Sequence, residues 1–199
     1  HTLRRVGYDV KVKVLNAADF GVPQSRNRCI FMGVRKDLAI EPSYPMPQKR
    51  RWSVRDACPW ISKAGTRAHG YMKEEDLDPE RPAPTITTSP GKGSYDGHWV
   101  ETGVDISKYA IGREWDKTPV GGASEKFFQL VKPDPELPCP MITASGGHPG
   151  IAAVVHPFEK RKFSILELKR LSSFPDDFVL TGTYTQQWER IGRAVPPLM

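Results

Sequence analysis

The stretch Leu15-Asn16-Ala17-Ala18-Asp19-Phe20-Gly21-Val22-Pro23-Gln24-Ser25-Arg26-Asn27-Arg28 decides how the chain is read. Before it, Tyr8, Val10, Val12 and Val14 alternate with Asp9, Lys11 and Lys13. That period of two predicts a half-buried strand. After it, Cys29-Ile30-Phe31-Met32-Gly33-Val34 is an apolar run suited to a buried strand. The two strands are predicted to pair as a hairpin, with a tight polar loop between them. That loop holds Gln24, Arg26 and Arg28 in a Q-x-R-x-R spacing. Arginine presents a fixed fork of donors and stays charged at any working pH. Held rigidly at the mouth of a strand, it suits a nucleobase edge or a phosphate. Two surface arginines flanking an ordinary hairpin would account for the same residues.

Composition sets the bounds. A chain of 199 residues, 26% charged and 38% hydrophobic, can bury a real core. Nineteen prolines and 17 glycines point to much loop and few long elements. No apolar run approaches the ~20 residues of a membrane helix, and no partner membrane is expected. Cys29, Cys58 and Cys139 form no close pair and no C-x-x-C, which argues against a metal or disulfide framework and for a reducing compartment. The net charge of +6 is uneven: residues 1–60 hold 12 Lys and Arg against 5 Asp and Glu, while the other 139 hold 17 against 18. A basic region concentrated around one loop is the footprint of a nucleic-acid site, or simply a basic surface.

The rest of the chain is less regular. Residues 1–6 read as the end of a helix, and Gly7 permits a turn. Three prolines (Pro42, Pro45 and Pro47) keep residues 36–49 irregular. Lys49-Arg50-Arg51 beside Trp52 could grip a DNA backbone or be a solvated charge run. Ser53 is placed to cap a short helix through Val54-Arg55-Asp56-Ala57. Residues 62–155 show little helical periodicity but a weak repeat. Arg81-Pro82-Ala83-Pro84-Thr85-Ile86-Thr87-Thr88-Ser89 and Leu137-Pro138-Cys139-Pro140-Met141-Ile142-Thr143-Ala144-Ser145 each precede a glycine-rich turn and a histidine. Each copy is expected to be a short strand delivering a flexible polar loop to a partner. Tyr109, Trp115, Phe127 and Phe128 are expected to pack a small core. Ser164-Ile165-Leu166-Glu167 is a capping-box pattern, with Ile165, Leu168 and Leu171 on one helical face. A second short helix is predicted over residues 185–192, with Trp188 and Ile191 inward.

These motifs also carry a resemblance. N-A-x-D-[FY]-G-[VI]-P-Q-x-R-x-R followed by an apolar strand resembles motif VIII of the DNA cytosine-5 methyltransferases. The run from Arg161 to Phe178 resembles their motif IX, and Arg190-Ile191-Gly192-Arg193-Ala194-Val195-Pro196-Pro197 resembles their motif X. The resemblance implies an α+β chain: residues 1–36 would close a Rossmann-like catalytic domain with a β-hairpin, residues 37–155 would form a separate, irregular, mostly β target-recognition lobe, and residues 156–199 would return as helices to the catalytic domain. It implies that Arg28 holds the O2 edge of a flipped cytosine, that Arg26 helps grip that base or the adjacent backbone, and that Gln24 braces the loop. Gly192, Ala194 and Val195 would line part of an S-adenosylmethionine pocket. Arg193 stands where the family usually has Asn, and a long cation cannot copy an amide hydrogen bond. Residues such as Arg161 would support the recognition lobe.

The family's F-x-G-x-G, P-C-Q and E-N-V motifs do not occur in these 199 residues. Cys139, followed by Pro140, is expected to be a buried thiol and not the nucleophile. The expected whole is therefore a DNA cytosine-5 methyltransferase of which this chain is the target-recognition and C-terminal portion. Its partners would be double-stranded DNA and the missing N-terminal catalytic half, in the cytoplasm of a prokaryotic or phage-type system. Other readings are a DNA-binding module without catalysis and a related RNA methylase.

Overall fold

The computed structural model describes residues 2–61 and 103–199, together with the backbone of the short strands Ser94–Tyr95 and His98–Trp99. The first repeat copy, residues 81–89, lies outside the described residues.

The chain opens with a single turn of helix, α1 (Thr2–Arg5). Gly7, at φ 92°, then turns it into β1 (Tyr8–Asn16). β1 pairs antiparallel with β2 (Asn27–Arg35), in a register that sets Val10 opposite Gly33, Val12 opposite Phe31 and Val14 opposite Cys29. The predicted hairpin therefore forms. The expected burial of its apolar residues does not: Phe31 is 67% exposed, and Val12 and Val14 are exposed too. Within the described residues, the sheet has only these two strands. The other face is partly covered by residues 41–44. There, Tyr44 donates to the Ile30 carbonyl and Lys11 pairs with Glu41.

Ser53 caps α2 (Val54–Ala57) as the sequence predicts, with Asp56 closing a reciprocal capping box. After β3 (Ser94–Tyr95) and β4 (His98–Trp99) comes α3 (Ala110–Lys117), which the periodicity did not reveal. Only Ile111 and Gly112 are buried in α3, and its N-cap Tyr109 makes no side-chain cap. Glycine is unfavourable in a helix interior. At Gly112 it is required, because a Cβ would sit 2.2 Å from the Ile106 carbonyl oxygen.

Two helices complete the chain, α4 (Ile165–Leu171) and α5 (Tyr184–Arg193), each opened by a capping box. Ile165, Leu168, Leu171, Trp188 and Ile191 face inward, as predicted. They share one core with Val54, Cys58, Ile61, Cys139 and Ile142. The described part of residues 37–155 thus packs partly against the C-terminal helices. It is not mostly β: outside β3 and β4, its pairing is limited to isolated bridges such as Ala123 with Val131 and Val131 with Val154. A smaller cluster gathers Ile106, Ile111, Leu130 and Val155, with Trp115 and Phe127 against it. Phe128, expected in that core, is 80% exposed, and Tyr109 is also open.

Candidate nucleic-acid and base site

Gln24, Arg26 and Arg28 alternate along extended chain, so all three side chains leave on the same side. The loop that delivers them is tightly specified. Asn16 Oδ1 accepts from Ala18 N at 3.0 Å and from Arg26 N at 3.1 Å, while Asn16 Nδ2 donates to Ser25 Oγ. Gly21, at φ 90°, ends the 3-10 turn Ala17–Phe20 in a conformation that favours glycine.

The three side chains meet different fates. Gln24 is buried and donates from Nε2 to Ser172 Oγ, at the end of α4, across 3.1 Å. Arg26 is buried as well. Its Nη1 donates to the Ile142 carbonyl at 3.0 Å and its Nη2 to the Gly192 carbonyl at 2.7 Å. Burial first, and the Arg28 charge second, pull the Arg26 guanidinium below its usual value. Arg26 was expected to grip a base or the backbone beside it. Instead it faces inward, spent on two buried carbonyls. Arg28 stays partly exposed. Its Nη1 donates to the Asn27 carbonyl at 2.8 Å and lies 3.9 Å from Met141 Sδ. Its Nε and Nη2 have no hydrogen-bond partner among the described residues. Arg28 is the member of the trio able to recognise something from outside.

The second repeat copy is not a strand leading to a flexible loop. Residues 139–142 lie alongside the tip: Cys139 bridges Gln24 in parallel, Ser25 N donates to the Cys139 carbonyl and Cys139 N to the Pro23 carbonyl. The glycines that follow are contact residues. A Cβ on Gly146 would lie 2.7 Å from Ala153 Cβ and 2.8 Å from the Trp188 ring, and one on Gly147 would lie 2.8 Å from Trp188 Cβ. They are glycine so that the 3-10 turn Ala144–Gly147 can press against α5. Cys139 is fully buried, and burial pushes its thiol far above the range of a working nucleophile.

Of the residues expected at a cofactor pocket, Gly192 is internal. A Cβ there would meet Ala144 N and Cα at 2.6 Å, and its carbonyl is taken by Arg26. Protein fills the space on the side where a Cβ would point. Ala194 is partly exposed and Val195 exposed. Arg193 points away into an ion pair with Glu189, one helical turn back, at 2.6 Å.

Part of the basic N-terminal region is paired with carboxylates. Arg50 pairs with Asp56, Arg51 with Asp19, Arg55 with Glu136 and Arg35 with Asp37. Arg50 also lies over the Trp52 ring, 4.6 Å from its centroid. The run beside Trp52 is therefore a paired surface more than a bare phosphate clamp.

Behind the tip lies a buried ionic cluster. Arg161 donates to both oxygens of Glu167, at 2.8 and 2.9 Å, and from Nε to Glu159. Glu167 also accepts from Ser164 N and from Trp60 Nε1. Burial opposes the charge of both Arg161 and Glu167, but their pairing outweighs it: Arg161 is held above its usual value and Glu167 below. The sequence pointed to Glu167 as a cap residue; its grip on Arg161 and Trp60 had no signal there. Ser172, Ile142 and Met141 were likewise missed as partners of the trio, since nothing in a single sequence couples positions so far apart.

A loop-borne, partly exposed arginine suits a nucleobase edge or a phosphate. The comparisons give the family. The model of the C-5 cytosine-specific DNA methylase family matches residues 1–199, and the chain belongs to that family. It is 30% identical to the type II methyltransferase M.Sau96I of Staphylococcus aureus, over 96% of this chain and 41% of that protein. It is 32% identical to M1.HphI of Haemophilus parahaemolyticus, over 98% of this chain and 46% of that protein. The chain thus spans about half the length of the curated relatives it matches. Its fold resembles a crystal structure from E. coli assigned as a prophage-encoded DNA modification methyltransferase, with TM-score 0.61 and 18% identity, covering 98% of this chain and 58% of that one. No described helix is long and apolar enough to cross a membrane.

Proposed function

We propose that this chain is the target-recognition and C-terminal portion of a DNA cytosine-5 methyltransferase, working in the cytoplasm with the half of the enzyme that lies outside these residues. The single observation that carries the reading is the split between the two arginines: Arg26 is locked inside, and Arg28, at the mouth of the hairpin, keeps donors that have no partner among the described residues. The substrate is a cytosine in double-stranded DNA. Its ring carbons are inaccessible in the stack, so the base must be flipped out.

In this reading Arg28 holds the O2 edge of the flipped base. When a cysteine thiolate from the missing half adds to C6, electron density moves onto the ring, and a fixed cation at O2 favours that charge. S-adenosylmethionine would supply the methyl group, its sulfonium–methyl bond breaking as the C5–methyl bond forms; loss of the C5 proton to a base outside these residues would then expel the cysteine. Ala194 and Val195 fit a partial pocket for it, being open to solvent, whereas Gly192 does not. Arg26 and Gln24 touch no base; they fix the loop from which Arg28 projects.

Residues 37–155 carry target recognition in this reading, rooted on the C-terminal helices through α2 and residues 139–142. In this reading the hairpin adds to the sheet of a Rossmann-like catalytic domain through a strand edge, and its open face of Val12, Val14 and Phe31 is covered by that domain. The names of the relatives favour a type II restriction-modification setting.

The test is Arg28→Ala in the complete enzyme. Methyl transfer is expected to fall by roughly 100-fold or more, as when one aligned donor is removed from a charge-stabilising site. DNA affinity should change by less than about twofold, because affinity comes mainly from many phosphate contacts. Turnover at the wild-type rate would remove Arg28 from the reaction.

A further inference from the structure

Met141 has two neighbours that cannot move. Cys139 is pinned to Pro23 and Ser25 by backbone hydrogen bonds of 2.9 and 2.8 Å. The Ile142 carbonyl is pinned by Arg26 at 3.0 Å. Met141 sits between them and is 44% exposed, so it is not a core residue. Its thioether lies 3.9 Å from Arg28 Nη1. A thioether is a weak acceptor and a polarisable surface. Nη1 is thus shared between the Asn27 carbonyl and Met141, while the Nε and Nη2 edge has no partner among the described residues.

We propose that Met141 is a positioning residue for Arg28: it walls one side of the guanidinium and holds Nη1 back, leaving the Nε and Nη2 edge aimed outward at the base. The inference rests on the reading of Arg28 given above and deepens it. The residue that sets the base-holding arginine then belongs to the segment assigned to target recognition, not to the hairpin that carries the arginine. A misplacement of about 1 Å at a reacting centre can cost 100-fold in rate, so a wall on one side of a flexible cation is worth a measurable factor.

The experiment uses the complete enzyme, unmethylated genomic DNA and radiolabelled S-adenosylmethionine. Met141→Ala is expected to lower kcat about tenfold, with KM for DNA within about twofold, since the residue acts on the aim of a reacting group and not on uniform binding. The melting temperature should stay within about 2 °C for a half-exposed side chain. Met141→Leu, of nearly equal volume, should regain at least about threefold of the lost rate, because swaps that conserve volume keep most packing. In an Arg28→Lys background the same Ala substitution should cost less than about twofold, because groups acting through one another are not additive. A wild-type kcat in Met141→Ala, no recovery in Met141→Leu, or full multiplication of the two effects would overturn the proposal. If Arg28→Ala itself turns over normally, the underlying functional reading fails; if only the Met141 variants behave as wild type, that reading stands and this inference alone falls.

Discussion

The N-terminal hairpin and the C-terminal body differ in a way that their secondary structure conceals. The hairpin has the longest strands of the described chain, nine residues each, yet Val12, Val14 and Phe31 stand open to solvent. The body has short helices and long irregular stretches, yet Phe163, Leu168, Leu171 and Trp188 are fully enclosed. A two-stranded ribbon cannot bury both faces and is marginal by itself. Stability in this chain therefore resides where the regular structure is poorest. The hairpin is held at its tip, where Gln24 and Arg26 reach the body, and the face of its shaft that carries Val12, Val14 and Phe31 lacks a cover among the described residues. The comparison can be broken at the body, at the joint or at the shaft.

The largest effect is expected in the body. His156 is enclosed beside the Arg161–Glu167 pair. Its Nδ1 accepts from Phe158 N and Glu159 N, and its Nε2 lies 3.9 Å from Glu159 and 4.0 Å from Glu167. Burial chiefly, with help from the Arg161 charge and against the pull of Glu167 and Glu159, lowers its pKa to about 4. The unfolded chain then takes up this proton first, so stability falls as pH drops from about 6.5 towards about 4. The shift corresponds to about 3 kcal/mol lost across that window. Glu167, also held below its usual value, adds its own loss below about 4.5. Urea unfolding between pH 7 and 4.5 should show this slope, and His156→Asn, which keeps an acceptor but does not titrate, should flatten it. A wild-type midpoint that ignores pH in this range would show that the body is not the stability centre described.

The joint comes next. Arg26→Met keeps much of the volume but strips the donors from the Ile142 and Gly192 carbonyls. The expected cost is about 2 kcal/mol, the price of leaving buried acceptors unmet after removing a desolvated cation. Arg28→Ala should cost less than about 0.5 kcal/mol, as a surface substitution does. Thermal unfolding of the two variants side by side checks this. Equal losses would contradict the inward and outward division of the pair.

What could be read from the sequence follows the same division. The hairpin pairing, caps at Ser53 and Ser164, and the inward faces of α4 and α5 were legible, because each follows from a local pattern of a few residues. Motif VIII pointed to the loop of Gln24, Arg26 and Arg28, but not to which arginine it leaves open. That depends on Ile142 and Gly192, more than a hundred residues away, whose carbonyls happen to lie within reach of Arg26. The glycines at 146 and 147 read as flexibility and turned out to be contact, since sequence shows a missing side chain but not what presses on the gap. Nor could it show that Lys162 is enclosed, its ammonium donating to the Ile151 carbonyl and its pKa brought down to about 8 by burial.

The smallest effect concerns the shaft, and it sharpens the comparison most. Phe31 and Val12 face each other across the strands on a surface that nothing described covers. If the remaining half of the enzyme packs there, Phe31 becomes buried in the whole protein. Phe31→Ser should then destabilise the complete enzyme by about 1.5 kcal/mol, the low end for an aromatic side chain removed from water. In a protein where this face stays open, the same change should be neutral or raise solubility, because an exposed apolar patch contributes no folding energy and promotes association. The melting temperature of Phe31→Ser against that of Lys13→Ser, a partner on the opposite face of the same strands, separates the two outcomes. A loss confined to Phe31 would mean that the hairpin is the seam along which the two halves of the enzyme join.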